Sequence, residues 1–212
     1  MVVYRTLVSL VFLAVVLSLS ACVATFREGT FQPPTSWPIT TASGKQSISL
    51  LIRGERIDKE GLPLKEYRNS FPAGEMPAWA AKEFQVESIA KAYRDSGLFS
   101  DVRIGAFDTD LRAEVHVLRR VQVNVLLYHA MVFTGSVVPY YSPREFYITT
   151  TLKNRELQSL GTFEKAERAT TWIQLFLIFI FPFYIPVKVE GELVYDLHRS
   201  IISQAYEEGV VQ

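Results

Sequence analysis

The sequence predicts an α+β fold, a two-layer sandwich in which two amphipathic helices cover one face of a mostly antiparallel sheet, and three observations carry that expectation. Several runs place apolar residues at every second position. Two segments place them at helical spacing and close on a glycine. The order of these segments is strand, helix, strand, strand, hairpin, helix, which suits helices laid on one side of a sheet. A chain of 212 residues, 49% hydrophobic and 21% charged, is long enough for one domain with a real core.

The chain opens "MVVYRTLVSLVFLAVVLSLSAC". Arg5 supplies a thin positive start, Leu7 to Leu17 an apolar stretch, and Ser18, Ser20 and Ala21 small residues of the kind a signal peptidase accepts. Residues 1–21 therefore read as an amino-terminal signal helix. The only cysteine, Cys22, follows at once, which excludes an intramolecular disulfide and a thiolate metal cluster. Leu19-Ser20-Ala21-Cys22 resembles the lipobox of bacterial lipoproteins. That resemblance implies diacylglycerol on the Cys22 sulfur, cleavage before it, and acylation of the new amino group with a palmitate-like chain. At about 0.8 kcal/mol per buried CH₂, two or three such chains anchor far more firmly than one. Val23 in place of an aspartate resembles lipoproteins sent on to the outer membrane of Gram-negative cells.

Residues 22–45 are rich in Pro, Thr, Ser and Gly without sustained periodicity, and read as a lipid-anchored linker. Phe26, Phe31 and Trp37 are aromatic enough for part of it to pack back on the domain expected over residues 46–212. That domain starts with "QSISLLIRGE", where Ile48, Leu50 and Ile52 share a face at period two. Gly61, Pro63, Pro72, Gly74 and Pro77 mark an irregular loop after it. In "AWAAKEFQVESIAKAYRDSG", Val86, Ala90 and Tyr93, with Ile89 beside them, recur at helical spacing, and Gly97 supplies the stop. Val102, Ile104 and Ala106, then Ala113, Val115 and Val117, predict two strands separated by the turn residues Asp108-Thr109-Asp110. A helix between the first strands leaves room for one parallel pairing through a right-handed crossover.

A mixed apolar segment, "VNVLLYHAMVFTGSVVPYYSP", comes next. "EFYITTTL", "KNRE" and "LQSLGTFEKAERATT" then read as a hairpin. The last element, "EGELVYDLHRSIISQAYEEG", carries Leu193, Leu197, Ile201 and Ala205 at spacing four and stops at Gly209. The run "SIAKAYRDSGLFSDVRIG" followed by "AEVHVLRR" resembles a group of poorly characterised Gram-negative envelope lipoproteins, with specificity over Ala78 to Arg119. The resemblance implies a periplasm-facing α/β module on an outer-membrane lipid anchor and brings no catalytic residues with it.

Chemistry is sparse in the sequence. The 22 basic residues balance the 22 acidic ones, so nucleic acid is not an expected partner. His116, His129 and His198 sit on separate predicted elements, with no paired metal-ligand spacing. Glu114 and His116 share a strand face, read as a solvated sheet face, and Asp108 and Asp110 lack the further oxygen ligands of a calcium loop. No nucleophile elbow, phosphate loop or dinucleotide fingerprint is present. No cofactor, metal or enzymatic activity is expected.

The remaining feature is an apolar segment at 172–187, in which every residue but Gln174, Pro182 and Pro186 is apolar. As a helix it would extend roughly 24 Å against a hydrocarbon core near 30 Å, and its prolines break it in the last third. Three placements stay open: buried core or subunit contact, a surface dipping into the membrane under the lipid, or a true span. Trp172, Phe176, Phe179, Phe181, Phe183 and Tyr184 are the candidate apolar contact surface, and the segment around Val123 to Tyr141 is a candidate neighbour. The expected function is a non-enzymatic binding or assembly module of the cell envelope, with an envelope protein or further copies of the chain as partner. A carrier of a lipid or other apolar ligand, or an envelope enzyme with a dispersed site, is the alternative.

Overall fold

A computed structural model describes residues 23–29, 34, 36–39, 45–57, 63–68, 82, 85–179 and 181–211. The strands are β1 (Val23–Arg27), β2 (Gln46–Ile57), β3 (Pro63–Arg68), β4 (Phe99–Ile104), β5 (Leu111–Val121), β6 (Tyr140–Asn154) and β7 (Ser159–Ile173). The helices among the described residues are α1 (Val86–Asp95), α2 (Val125–Phe133) and α3 (Pro186–Glu207). Together they form the expected α+β fold around one seven-stranded sheet of order β1-β7-β6-β5-β2-β3, with β4 also pairing β2. The expected signal helix lies outside the described residues.

The sheet is mixed. β1, β7, β6 and β5 run as an antiparallel series, whereas β2 pairs in parallel with both β5 and β4 and antiparallel with β3. One parallel pairing is expected from the sequence; the second arises because β4 and β5 do not form a hairpin. They flank β2 from opposite sides, and residues 105–110 cross it between them. The crossing is tied down by polar side chains. Asp110 accepts hydrogen bonds from the Ser47 amide (2.8 Å) and hydroxyl (2.7 Å), and the Thr109 hydroxyl lies 3.0 Å from the Ser49 hydroxyl. The aspartate and threonine that read as turn residues therefore cap a crossover.

Alternation along the strands sends Ile48, Leu50, Ile52, Val115, Val117, Phe146 and Ile148 into a core shared with Ile89 and Tyr93 of α1 and Leu193, Leu197 and Ile201 of α3. Both helices end where glycine permits a left-handed residue, at Gly97 (φ 78°) and Gly209 (φ 73°). Arg53, His116, Tyr147 and Glu164 lie on the opposite, solvated side of the strands. Lys153 reaches Glu114 there at 2.8 Å, so the Glu114 and His116 face is the polar sheet face that alternation predicts.

Val23–Arg27 falls within the stretch read as linker, yet it is an edge strand in full register with β7, from Val23↔Ile173 to Arg27↔Ala169. Ala24 and Thr25, on opposite faces of the strand, are both completely buried, and Thr25 shares a 2.8 Å hydroxyl hydrogen bond with Thr171 across the pair. Five residues are too few for alternation to stand out in the sequence.

Candidate functional site

The apolar segment at 172–187 is not one element. Trp172 and Ile173 finish β7, Leu175–Phe179 and Phe181–Phe183 are two turns of 3-10 helix, and Pro186 and Val187 open α3. Proline accounts for the breaks: Pro186 sits in the first turn of α3, where its missing N–H would have had no helical partner, and Pro182 interrupts continuation before it. Among the described residues no helix is long and apolar enough to cross a membrane.

The described side chains of the segment do not join the core either. Phe176 is 65% exposed and Phe183 71%, and Tyr184, Ile185 and Val187 are exposed as well. Trp172 is half-buried with its ring 5.2 Å from that of Tyr141, and Tyr184 packs on Phe26 at 4.7 Å. The Tyr184 carbonyl accepts the Thr25 amide hydrogen at 3.0 Å, so this stretch runs back along the edge of β1. Phe179 and Phe181 lie within the 3-10 turns, and their side chains are outside the described set, as is Cys22.

A second apolar element meets the first. β5 ends at Val121, the chain passes through α2, and β6 begins at Tyr140, which pairs with Ile173 while Tyr141 pairs with Trp172. The Leu175 amide donates to the Ser136 carbonyl at 3.1 Å, joining the two connections directly. α2 is well made as a helix. Asn124 caps it by accepting the Leu127 amide hydrogen at 3.0 Å, and Gly135 (φ 60°) and Ser136 (φ 65°) turn the chain out of it.

The composition of α2 is unusual for a surface helix. "VLLYHAMVF" contains no Asp, Glu, Lys or Arg and, His129 apart, is apolar on every side, a pattern that belongs in a large core or in lipid. Here Met131 is its only buried residue, with Leu126 82% and Phe133 87% exposed. These two residues, with Val125 and Val132, extend the contact surface that sequence reading confined to the later segment. The readable signal was the absence of charge from Val121 to Pro143, matched by its absence from Ala169 to Val187.

No protein-family description matches the sequence, and no curated protein does. Among solved structures the chain has a distant likeness to two crystal forms of the PelC dodecamer from Paraburkholderia phytofirmans. A point-substituted form in space group C2 shares 9% identity over 82% of this chain and 93% of that one, with a TM-score of 0.32. The form in space group P6 shares 10% over 85% and 95%, with a TM-score of 0.34. A likeness of this size transfers neither fold nor assembly.

On the helix-covered side of the sheet, the apolar end borders a group of charges. Glu190 in the second turn of α3 receives Arg144 of β6 and Arg119 of β5 on the same carboxylate oxygen, the latter at 3.2 Å. They line a cleft of about 300 Å³ with Lys82, Gln85, Pro186 and Val187. On the opposite side Arg168 bonds Glu145, holding its carboxyl below the usual carboxylate range, and reaches Glu28 at 3.7 Å. Both groups fasten elements together, α3 to the sheet and β1 to its neighbours.

The histidines stay apart: His116 and His129 are exposed, and His198 is fully buried in α3. Among the described residues no three of His, Cys, Asp and Glu could hold a metal ion. What the arrangement offers chemically is apolar surface, concentrated at one end of the sheet.

Proposed function

We propose that this chain is a lipid-anchored, non-enzymatic module of the bacterial cell envelope, held at the outer membrane by acyl chains on Cys22 and acting by binding or assembling with other envelope components. The observation that carries the reading is where β1 begins. Val23, the residue after Cys22, pairs with Ile173, whose neighbours Trp172 and Leu175 belong to the apolar end. In the sequence Cys22 is bonded directly to Val23. Lipid on Cys22 would therefore enter the molecule beside its exposed apolar surface, with no spacer between anchor and domain. The lipobox resemblance and the exposed apolar end, which come from different parts of the chain, both support this reading.

A carrier of apolar ligands would need those side chains turned around an enclosed space. Leu126, Phe133, Phe176 and Phe183 face outward instead, which favours contact over enclosure.

The test is metabolic labelling of the full chain with a fatty-acid analogue in a Gram-negative host. Label on the wild type that disappears in Cys22→Ser is the expected result. Label that persists in Cys22→Ser, or never appears in the wild type, overturns the anchor.

A further inference from the structure

We infer that the apolar end of the sheet is a second membrane contact, seated in the acyl layer of the leaflet that receives the lipid on Cys22. The inference rests on the lipid-anchored reading. It adds that the domain lies against the bilayer in one fixed orientation, with Leu126, Phe133, Phe176 and Phe183 among the hydrocarbon chains.

The choice of lipid over a protein partner comes from three features of the surface. Its two connections lack formal charge throughout: Val121 to Pro143 and Ala169 to Val187 contain no Asp, Glu, Lys or Arg. A specific protein interface mixes an apolar centre with polar pairs at its rim, whereas an acyl layer offers no partner to any charge. The second feature is the border. Tyr128, Tyr141 and Tyr184 are exposed and half-buried Trp172 packs at a tilt on Tyr141, so amphipathic rings accompany the aliphatic and phenylalanine tips, as they do at membrane interfaces. The first charge met on each exit is basic, and each is paired with a glutamate, Arg120 and Arg168 with Glu145, Arg144 with Glu190 and Lys188 with Glu192, so the apolar stretches give way to balanced charge at every exit.

The third feature is continuity with the chain's own entry point. β1 starts at Val23 next to Ile173, so an acylated Cys22 and the exposed side chains would share one end of the molecule. The anchor then raises the local concentration of bilayer at this surface, and each buried apolar group adds to the hold. α2, apolar on every side apart from His129 and with one buried residue, has the composition of a helix that lies in an interface with most of its circumference covered by lipid.

The experiment places a photoreactive benzoylphenylalanine singly at Leu126, Phe133 and Phe176 of the full chain, and at Glu164 on the solvated sheet face as control. Cells are irradiated intact and adducts identified by mass. Leu126 and Phe133 are so exposed that their replacement leaves the core untouched, and near-wild-type resistance to limited proteolysis checks this for every variant. Phospholipid adducts at the three apolar positions and none at Glu164 are expected. Adducts to another protein, to a second copy, or to residues 1–22 of the same chain overturn the inference, as does the absence of any adduct. Fatty-acid labelling of Cys22 in the same samples separates failure of the seat from failure of the anchor.

Discussion

At the scale of single residues, His198 is the most informative side chain. It is completely buried in α3 and, among the described residues, neither ring nitrogen has a hydrogen-bond partner; the ring of Tyr93 lies 5.8 Å away. Burial pushes its pKa down to about 3 from 6.5, and Tyr93, likewise buried, is held neutral well above its ordinary range. The unfolded chain takes up a proton below about pH 6.5 that the folded chain refuses. The residue's contribution is thus fully present above pH 6.5 and is lost progressively as pH falls toward about 3. At pH 5 the expected loss is about 2 kcal/mol relative to neutral pH. Replacing His198 by Leu removes the titration and leaves an apolar group in an apolar place. Urea unfolding of both proteins in mild detergent at pH 7.5 and pH 5 checks this: the wild type should weaken by about 2 kcal/mol more than His198→Leu. Equal losses would mean that His198 is not the acid-sensitive group. The sequence placed this histidine on the terminal helix but could not reveal its burial, because Leu197, His198 and Ile201 join the core through the sheet beneath them.

At the scale of elements, legibility followed periodicity. α1 and α3 were readable because their apolar stripes face one sheet and their glycine stops take positive φ, as the spacing implied. α2 was not readable, since a helix apolar on every side apart from one histidine has no stripe to detect. The crossing from β4 to β5 was hidden for another reason: Asp108-Thr109-Asp110 suits a tight hairpin and a crossover equally, and only the partners Ser47 and Ser49, some sixty residues earlier, decide. The apolar segment at 172–187 was legible as composition. Its meeting with the stretch from Val123 to Tyr141 was legible in the same way, as shared apolar composition, whereas the register that makes it, Tyr141↔Trp172, was not.

The union of α3 with the sheet is equally long-range. Glu190 stands 71 residues from Arg119 and 46 from Arg144, and its carboxylate is nearly inaccessible to water. Removing it takes away the buried carboxylate that Arg119 and Arg144 share, and breaking a buried pair costs about 3–5 kcal/mol. Glu190→Ala should therefore lose about 3 kcal/mol or more in urea unfolding, while Glu192→Ala, on the exposed side of the same turn, should lose under about 0.5 kcal/mol. Similar losses in the two variants would show that the Glu190 cluster does not hold α3 to the sheet.

At the scale of the whole molecule, the sheet gives the domain a long axis with unlike ends. β6 and β7 run side by side for 15 residues each, from Tyr140 and Ile173 at the apolar end to a tight turn through Arg155 and Glu156. At about 3.3 Å per residue that turn stands roughly 45–50 Å from the apolar end. It is polar and charged, with Arg155 gripping Asp108 through two hydrogen bonds of 3.1 and 2.7 Å. If the apolar end sits in the acyl layer of the proposed outer-membrane anchor, this turn points away from the bilayer and is where a partner in the aqueous phase would first meet the domain. The orientation is measurable with a protease recognition sequence inserted between Glu156 and Leu157, or between Thr134 and Gly135 beside α2, where both residues are exposed. Both sites lie in exposed or turn segments between elements, so both report access. Protease added to cells with a permeabilised outer membrane should cut the first site quickly and the second only after detergent dissolves the bilayer. Equal cutting before detergent would mean that the apolar end stands free of the membrane, and faster cutting beside α2 would reverse the orientation altogether.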